Sequence, residues 1–232
     1  MPQLADSRRW VQQGTAAFSQ ALGELTEVQL REPSLLPDWS RAHVLAHTSR
    51  NAQGLGRLAT WALTGEETLM YPSREFRNMQ VEETAEFTDT QLRELFNSTA
   101  HDLEHRFDDL DQANAWGNEI RNFQDQQVSA DWVAWLRVRE VWIHLIDLAA
   151  GATFDDLPDD LQTELLGDVA SGMAARDELP SVRFSYGDNT WAFGNGDEVL
   201  EASPAALLGW LLGRPEAAVE PIDNPPQLPR WL

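Results

Sequence analysis

Apolar residues recur at helical spacing through the first two-thirds of the chain. Four such stretches are long enough to be helices, and they cover about residues 5–29, 38–63, 82–110 and 129–150. Asp38 or Ser40 is a suitable N-cap for the second helix, and Gly151 stands where a C-cap glycine is expected after the fourth. Residues 66–81 are expected to be a loop. Four helices of similar length joined by moderate loops predict an all-α four-helix bundle.

The pattern changes after about residue 155. A further helical stretch covers residues 158–178, and a short helix is expected from Pro204 to Gly213. Between them lie three short strand-like runs separated by Gly, Asp and Asn turn residues, at 182–186, 190–193 and 198–200. The tail from Pro221 is rich in proline and is expected to be extended. We therefore predict an N-terminal bundle over residues 1–153 and a small α+β domain over residues 154–232.

The fourth predicted helix carries a polar stripe on an otherwise apolar surface. At about 100° per residue, Arg137, Glu140, His144 and Asp147 lie within about 80° of one another. The remaining faces are apolar, which is typical of a buried helix. Polar groups buried in such a helix must be paired or must bind a ligand, because an unpaired buried charge is costly.

The second predicted helix places a histidine on its core-facing side. His47 shares that side with Val44, Asn51 and Leu55. Together with Glu140 and His144 it makes a set of two histidines and one glutamate, which suits a catalytic zinc with an open coordination position. We predict these three as metal ligands. The alternative is a metal-free structural bundle in which His47 is a satisfied core histidine.

His101 and His105 belong to a different pattern. Together with Glu104 they match the His-x-x-Glu-His sequence of one class of zinc proteases. The apolar side of their helix, however, carries Leu103 and Phe107, and both histidines point away from it. A solvent-exposed helix face is therefore expected, and the protease interpretation is disfavoured.

The amino-acid composition excludes several kinds of partner and reaction. There are 38 acidic and 17 basic residues, for a net charge of −21, so nucleic acid and anionic membranes are unsuitable partners. All the basic residues are Arg, which excludes lysine Schiff-base chemistry and leaves Arg to bind carboxylates. There is no Cys, so any thiol chemistry needs a thiol cofactor. No secretory signal is recognisable, and a cytoplasmic protein is expected.

Several segments together resemble one protein family, the mycothiol-dependent maleylpyruvate isomerases of actinobacteria, within the DinB-like metal-binding superfamily. The matching segments are Leu36-Pro37-Asp38-Trp39-Ser40 followed by His47, Asn51-Ala52, Trp61 through Thr68, the set Arg137, Glu140, His144 and Asp147, Gly213-Arg214, and Pro229-Arg230-Trp231-Leu232. The resemblance covers essentially the whole chain and is therefore more specific than the metal-ligand set alone.

The resemblance implies a DinB-like bundle and a C-terminal domain similar to sterol-carrier folds. It implies Zn²⁺, or another divalent metal, held by His47, Glu140 and His144, with mycothiol as the thiol cofactor. Arg214 matches an arginine that the family uses in catalysis. No short motif marks the mycothiol contacts. Asp147 and Arg137 are candidates for side chains that orient the metal ligands without contacting the metal themselves.

The reaction implied is the cis–trans isomerisation of maleylpyruvate, a small dicarboxylate, to fumarylpyruvate in gentisate degradation. Addition of a thiolate to the activated double bond, rotation and elimination would achieve it, with Arg214 holding a carboxylate or stabilising enolate charge. A monomer is expected. The alternatives are a mycothiol S-transferase or other detoxification enzyme on the same zinc site, and a non-catalytic zinc-binding regulator.

Overall fold

The computed structural model describes residues 1–229, and these fall into two compact units. One comprises Pro2–Ala150 and the other begins at Gly151. The first unit is helical apart from one hairpin, and the second combines helices with a small sheet. This is the predicted fold class, a helical bundle followed by a small domain that contains strands.

Six helices make up most of the first unit. Their bounds are α1 Leu4–Glu24, α2 Glu27–Leu30, α3 Arg41–Thr64, α4 Arg74–Ala85, α5 Asp89–Gln112 and α6 Asp131–Asp147. The four long helices α1, α3, α5 and α6 form the bundle, in which α3 packs against both α5 and α6 while α1 packs against α6. Their apolar sides supply the core, in which the rings of Phe18 and Phe96 stack with centroids 4.7 Å apart.

Local sequence signals explain where most of these helices begin and end. Ser40 is the N-cap of α3, and Thr88 begins α5 with a reciprocal pair of hydrogen bonds to Gln91. Gly65 follows α3 with φ of 74°, a left-handed conformation that glycine adopts without strain. The N-cap of α3 is thus one of the two residues that the sequence suggested.

Two expectations about the helices were wrong. The stretch 5–29 is divided, because Thr26 forms a capping box with Gln29 and starts the separate helix α2. The segment 66–81 is only partly a loop, since Ser73 accepts a hydrogen bond from the Phe76 backbone and starts α4. A break at residues 86–88 then separates α4 from α5.

The region before α6 also differs from expectation. A two-stranded antiparallel hairpin, β1 Glu119–Arg121 and β2 Gln127–Ser129, precedes the helix. The helix ends at Asp147 rather than at about residue 150, and Leu148 is its C-cap. Ala149 takes the left-handed backbone conformation, so Gly151 is not the capping residue.

The second unit is built from two helices and a three-stranded sheet. After a 3₁₀ turn at Phe154–Asp156 come α7 Asp159–Ala174, β3 Val182–Tyr186, β4 Asn189–Phe193, β5 Glu198–Leu200 and α8 Pro204–Leu211. Strand β3 lies between an antiparallel β4 and a parallel β5. Phe184 and Phe193 of the sheet pack against Trp210 of α8, which gives this unit its own aromatic core.

The proline-rich tail contains no helix or strand from Pro221 to Pro229. Trp210 is linked to it by a hydrogen bond from its indole nitrogen to the Pro226 carbonyl, at 2.7 Å. Arg230, Trp231 and Leu232, which belong to the closing segment of the family resemblance, lie outside the described residues. Among residues 1–229, no helix is both long and apolar enough to cross a membrane.

The contact between α1 and α6 is close enough to require glycine at position 14. A Cβ built on Gly14 would lie 2.6 Å from Val141 Cγ2 and 2.7 Å from Trp142 Nε1. The same indole nitrogen donates to the Trp10 carbonyl at 2.9 Å and cannot move without losing that bond. Gly23, in the same helix, has nothing within 4 Å of its Cβ position.

We therefore expect Gly14→Ala to destabilise the protein by about 1–3 kcal/mol through overpacking. Gly23→Ala is the matched control and should stabilise it by about 0.5–1 kcal/mol, because alanine is the better helix former. Urea unfolding of both variants measures the difference. An unchanged or higher midpoint for Gly14→Ala would contradict the close packing of α1 on α6.

Candidate metal centre

Three side chains from α3 and α6 converge at one point in the bundle. Glu140 and His144 are one helical turn apart on α6, and His47 reaches them from α3. The Glu140 Oε2 atom lies 3.0 Å from His47 Nε2 and 3.4 Å from His144 Nε2. The ligand atoms of the three residues all lie within 4.8 Å of one another. The set that the sequence suggested is therefore assembled in the fold.

The two histidines are buried, and the glutamate is slightly more open. Their residues are 5% and 7% exposed, respectively, and the Glu140 side chain is 17% exposed. The imidazole rings meet edge to face with centroids 4.7 Å apart. The site is therefore largely shielded from water, which strengthens every electrostatic interaction within it.

Asp147 fixes the orientation of His144. This carboxylate is fully buried, and its Oδ2 lies 2.8 Å from His144 Nδ1. A carboxylate accepts hydrogen bonds, so Nδ1 carries a proton and Nε2 is directed toward Glu140. Such a carboxylate behind a histidine is a common support for a metal ligand. Burial opposes protonation, but the hydrogen bonds to Asp147 and Glu140 raise the pKa of His144 to about 9.

His47 is in the opposite electrostatic state. Burial lowers the pKa of His47 to about 4, although Glu140 acts against this change. The ring is therefore neutral at pH 7. Burial would raise the pKa of Glu140, but the two histidines hold it well below its usual range. The centre thus combines an ionised carboxylate, a neutral imidazole and a protonated one.

Arg77 is a site residue that the sequence pattern does not reveal. Its Nη2 lies 3.1 Å from His47 Nδ1, and its guanidinium lies over the Trp39 ring at 5.9 Å. Arg77 belongs to α4, in the segment expected to be a loop, so no helical face could be assigned to it. Because Arg can only donate, His47 Nδ1 accepts here, and the ring proton is on Nε2.

The residues fit a divalent metal. One carboxylate oxygen and two imidazole nitrogens form a donor set suited to zinc, and each residue directs one of these atoms toward the others. Binding requires the Nε2 atoms to be free of protons, so His144 must release one. His47 must carry its proton on Nδ1, and Arg77 then has to withdraw its donor from that atom.

Arg137 does not bind a metal-ligand side chain. It is 1% exposed, and its Nη1 donates to the Thr48 carbonyl at 2.8 Å and to Asn51 Oδ1 at 3.3 Å. These partners belong to α3, so Arg137 links α6 to the helix that carries His47. Any support that it gives to the ligands passes through this link.

Arg214 lies in the second unit, two residues beyond Leu212, the C-cap of α8. It is half-buried, and its Nη1 donates to the Leu212 carbonyl. The backbone around it is well fixed, since its N–H donates to Gly209 and its carbonyl accepts from Ala217. Its role in catalysis stays a prediction.

The His-x-x-Glu-His pattern on α5 does not form a protease site. His101 and His105 are both exposed, and their Nε2 atoms lie 2.9 Å apart. Glu104, which would be the catalytic carboxylate, instead accepts from Arg8 at 2.8 Å and from Gln12 at 2.9 Å. The pattern therefore belongs to the polar outer face of the bundle, as the helical spacing predicts.

Two crystal structures of the mycothiol-dependent maleylpyruvate isomerase, one of them of a histidine-to-alanine variant, are similar to the whole chain. Each is 29% identical, covers 99% of this chain and 98% of its own, and superposes with a TM-score of 0.90. YfiT from Bacillus subtilis, which has an unusual four-helix bundle topology, is 16% identical with a TM-score of 0.52. It covers 63% of this chain and 84% of its own, and it indicates the fold alone.

Sequence comparison leads to the same family. No curated protein matches the sequence. The family model for the mycothiol maleylpyruvate isomerase N-terminal domain matches residues 11–149, which include His47, Glu140 and His144. The chain belongs to the mycothiol maleylpyruvate isomerase family.

Proposed function

We propose that this protein is a zinc- and mycothiol-dependent cis–trans isomerase that converts maleylpyruvate to fumarylpyruvate. The observation that carries the proposal is the buried His47–Glu140–His144 cluster, in a chain similar to maleylpyruvate isomerase structures over nearly its whole length. The small-molecule partners are then a dicarboxylate substrate and mycothiol. The absence of cysteine is consistent with a borrowed thiol.

The chemistry that zinc and mycothiol supply when bound is a thiolate at neutral pH, the nucleophile needed for reversible addition to an activated double bond. The chain's own residues prepare the site for it. His47, Glu140 and His144 would hold the metal and leave a coordination position free, because only three protein atoms are offered. Asp147 keeps the His144 ring in the required tautomer through its hydrogen bond to Nδ1.

Arg214 is proposed to bind a substrate carboxylate or to stabilise enolate charge as it forms. A guanidinium suits either task, because it is permanently charged and presents paired donors to oxygen atoms. The proposal rests on the Gly213-Arg214 match to the family.

A coupled assay on maleylpyruvate, with and without mycothiol, tests the reaction itself. Fumarylpyruvate should form only when both the zinc-loaded protein and mycothiol are present. A mycothiol S-transferase would instead consume mycothiol with an electrophile and leave maleylpyruvate unchanged. No turnover by the zinc-loaded protein at saturating mycothiol would reject the isomerase proposal.

His47→Ala tests the metal centre. The variant should lose its bound zinc and its activity, because one of three ligands is removed from the site. His101→Ala is the matched control, since this histidine is exposed on α5 and should not affect the bundle site. Elemental analysis after desalting measures the zinc in each. Full zinc occupancy in His47→Ala would remove His47 from the ligand set.

Arg214→Ala tests the proposed catalytic arginine. The variant should keep its zinc but lose about 10²–10³-fold in kcat, the usual effect of removing one donor to developing negative charge. Arg183→Ala serves as the control, because Arg183 is exposed on β3 of the same unit. Steady-state rates and zinc analysis on both variants separate catalysis from metal loss. A wild-type rate for Arg214→Ala would exclude it from the mechanism.

A further inference from the structure

Two buried hydrogen-bond donors close to the metal centre have no partner. The Nη2 atom of Arg137 and the hydroxyl of Tyr71 are buried, and neither makes a hydrogen bond within residues 1–229. The two residues are 1% and 5% exposed. Leaving a buried donor unsatisfied costs about 1–3 kcal/mol, and more for a charged group. Such a pair beside a candidate active site indicates that a ligand supplies the missing acceptors.

Contacts with α3 and α6 place Arg137 next to the metal centre. It precedes Glu140 by one turn of α6 on the same polar stripe. Its other guanidinium nitrogen, Nη1, contacts Thr48 and Asn51 of α3, which are one and four residues beyond His47. The guanidinium therefore lies between the two helices that carry the metal ligands, about one turn along α3 from His47.

Tyr71 lies one turn further along the same face of α3. A Cβ added to Gly54 would be 3.3 Å from Tyr71 Cζ, the carbon that carries the hydroxyl. Gly54 follows His47 by seven residues, which is two turns and hence the same face of the helix. Arg57 fixes the segment by donating to the Met70 carbonyl at 3.0 Å and by lying over the Tyr71 ring at 5.7 Å.

Arg137 and Tyr71 both keep their protons at pH 7 and can therefore donate hydrogen bonds. Burial lowers the pKa of Arg137 to about 10, so the side chain is still a cation at pH 7. No carboxylate of residues 1–229 forms an ion pair with it, and Glu140 is the carboxylate near enough to favour its charge. Burial and then Glu140 raise the pKa of Tyr71 above its usual value, so the phenol keeps its proton.

We propose that Arg137 Nη2 and the Tyr71 hydroxyl form an anion-binding subsite that holds a carboxylate of the substrate at the end remote from the metal. Residues 51 and 54 lie about 6 and 10 Å along α3 from residue 47, a span of the same order as a short dicarboxylate. A cationic guanidinium with a neutral hydroxyl beside it matches the several lone pairs of one carboxylate. Naming the substrate a dicarboxylate rests on the proposed function, whereas the subsite itself rests on the two unpaired donors.

The structural role of Arg137 does not explain these observations. Its link to Thr48 and Asn51 uses Nη1 and would be complete without a second nitrogen directed elsewhere. The packing of Tyr71 on Gly54 uses the ring and would be equally good for phenylalanine. The hydroxyl and Nη2 are thus the two atoms for which packing gives no reason.

Tyr71→Phe is the decisive variant, because it removes the hydroxyl and keeps the ring. The probes are maleate, an unreactive cis-dicarboxylate, and isocrotonate, which has one carboxylate and the same double-bond geometry. Calorimetric titration of the zinc-loaded protein should show that maleate binds more tightly than isocrotonate. Tyr71→Phe should weaken maleate binding about tenfold or more, as expected for a hydrogen bond to a charged group, and leave isocrotonate unchanged.

Tyr186→Phe is the matched control, since Tyr186 is the second tyrosine of the chain and is exposed on β3. Its maleate affinity should equal that of the unaltered protein. Arg137→Lys provides a second variant, which removes the forked donor and, because a buried ammonium deprotonates readily, also weakens the positive charge. It should weaken maleate binding at least as much as Tyr71→Phe does. Zinc content is measured in every variant. It should not change in Tyr71→Phe or Tyr186→Phe, and the maleate affinity of Arg137→Lys is compared per bound zinc.

Three outcomes would overturn the subsite: equal affinity of the unaltered protein for maleate and isocrotonate, unchanged maleate affinity in Tyr71→Phe, or an equal loss of both acids in that variant. Failure of the proposed reaction gives a different result. A protein that binds maleate through this subsite but does not turn over maleylpyruvate keeps the subsite and loses the assigned substrate.

Discussion

The burial of the Glu140 carboxylate between two histidines is the constraint on which the rest of the bundle depends. An ionised carboxylate is stable in a largely dry position only when opposite charges or strong donors surround it. His47 and His144 provide these contacts from α3 and α6, and Asp147 in turn requires the proton on His144 Nδ1. The register of α3 against α6 is therefore set by polar contacts as well as by packing.

The same polar contacts explain why the three candidate ligand atoms lie close together without an ion. Glu140 faces a protonated Nε2 atom of each histidine, and these contacts hold the ligand atoms within 4.8 Å of one another. The free energy of folding already includes the cost of burying these polar groups together. A metal ion at this cluster would have to displace protons and the Arg77 contact.

Helical periodicity made much of this predictable. The polar stripe of α6 and the inward face of His47 follow from 3.6 residues per turn, and so does the outward direction of His101 and His105. The segment from Tyr71 to Arg77 was not predictable in the same way. Its start at Ser73 follows a Tyr-Pro pair that indicates a loop, and α4 buries only Val81, Thr84 and Ala85, which all lie near its C-terminal end. Arg77 and Tyr71 come to the centre through tertiary packing on α3, which leaves no periodic signal in the sequence.

Arginine at position 137 does more than supply a charge, because its guanidinium can donate hydrogen bonds in two directions. A lysine in this position would have one compact ammonium, which deprotonates readily when buried and cannot serve two directions rigidly. The arginine remains charged despite a lowered pKa, and its planar fork lets Nη1 hold α3 while Nη2 stays available. One side chain can therefore fix the spacing of α3 and α6 and still direct a second donor nitrogen elsewhere. The distance from the His47–Glu140–His144 cluster to that nitrogen is then determined by the same contact that links α6 to α3.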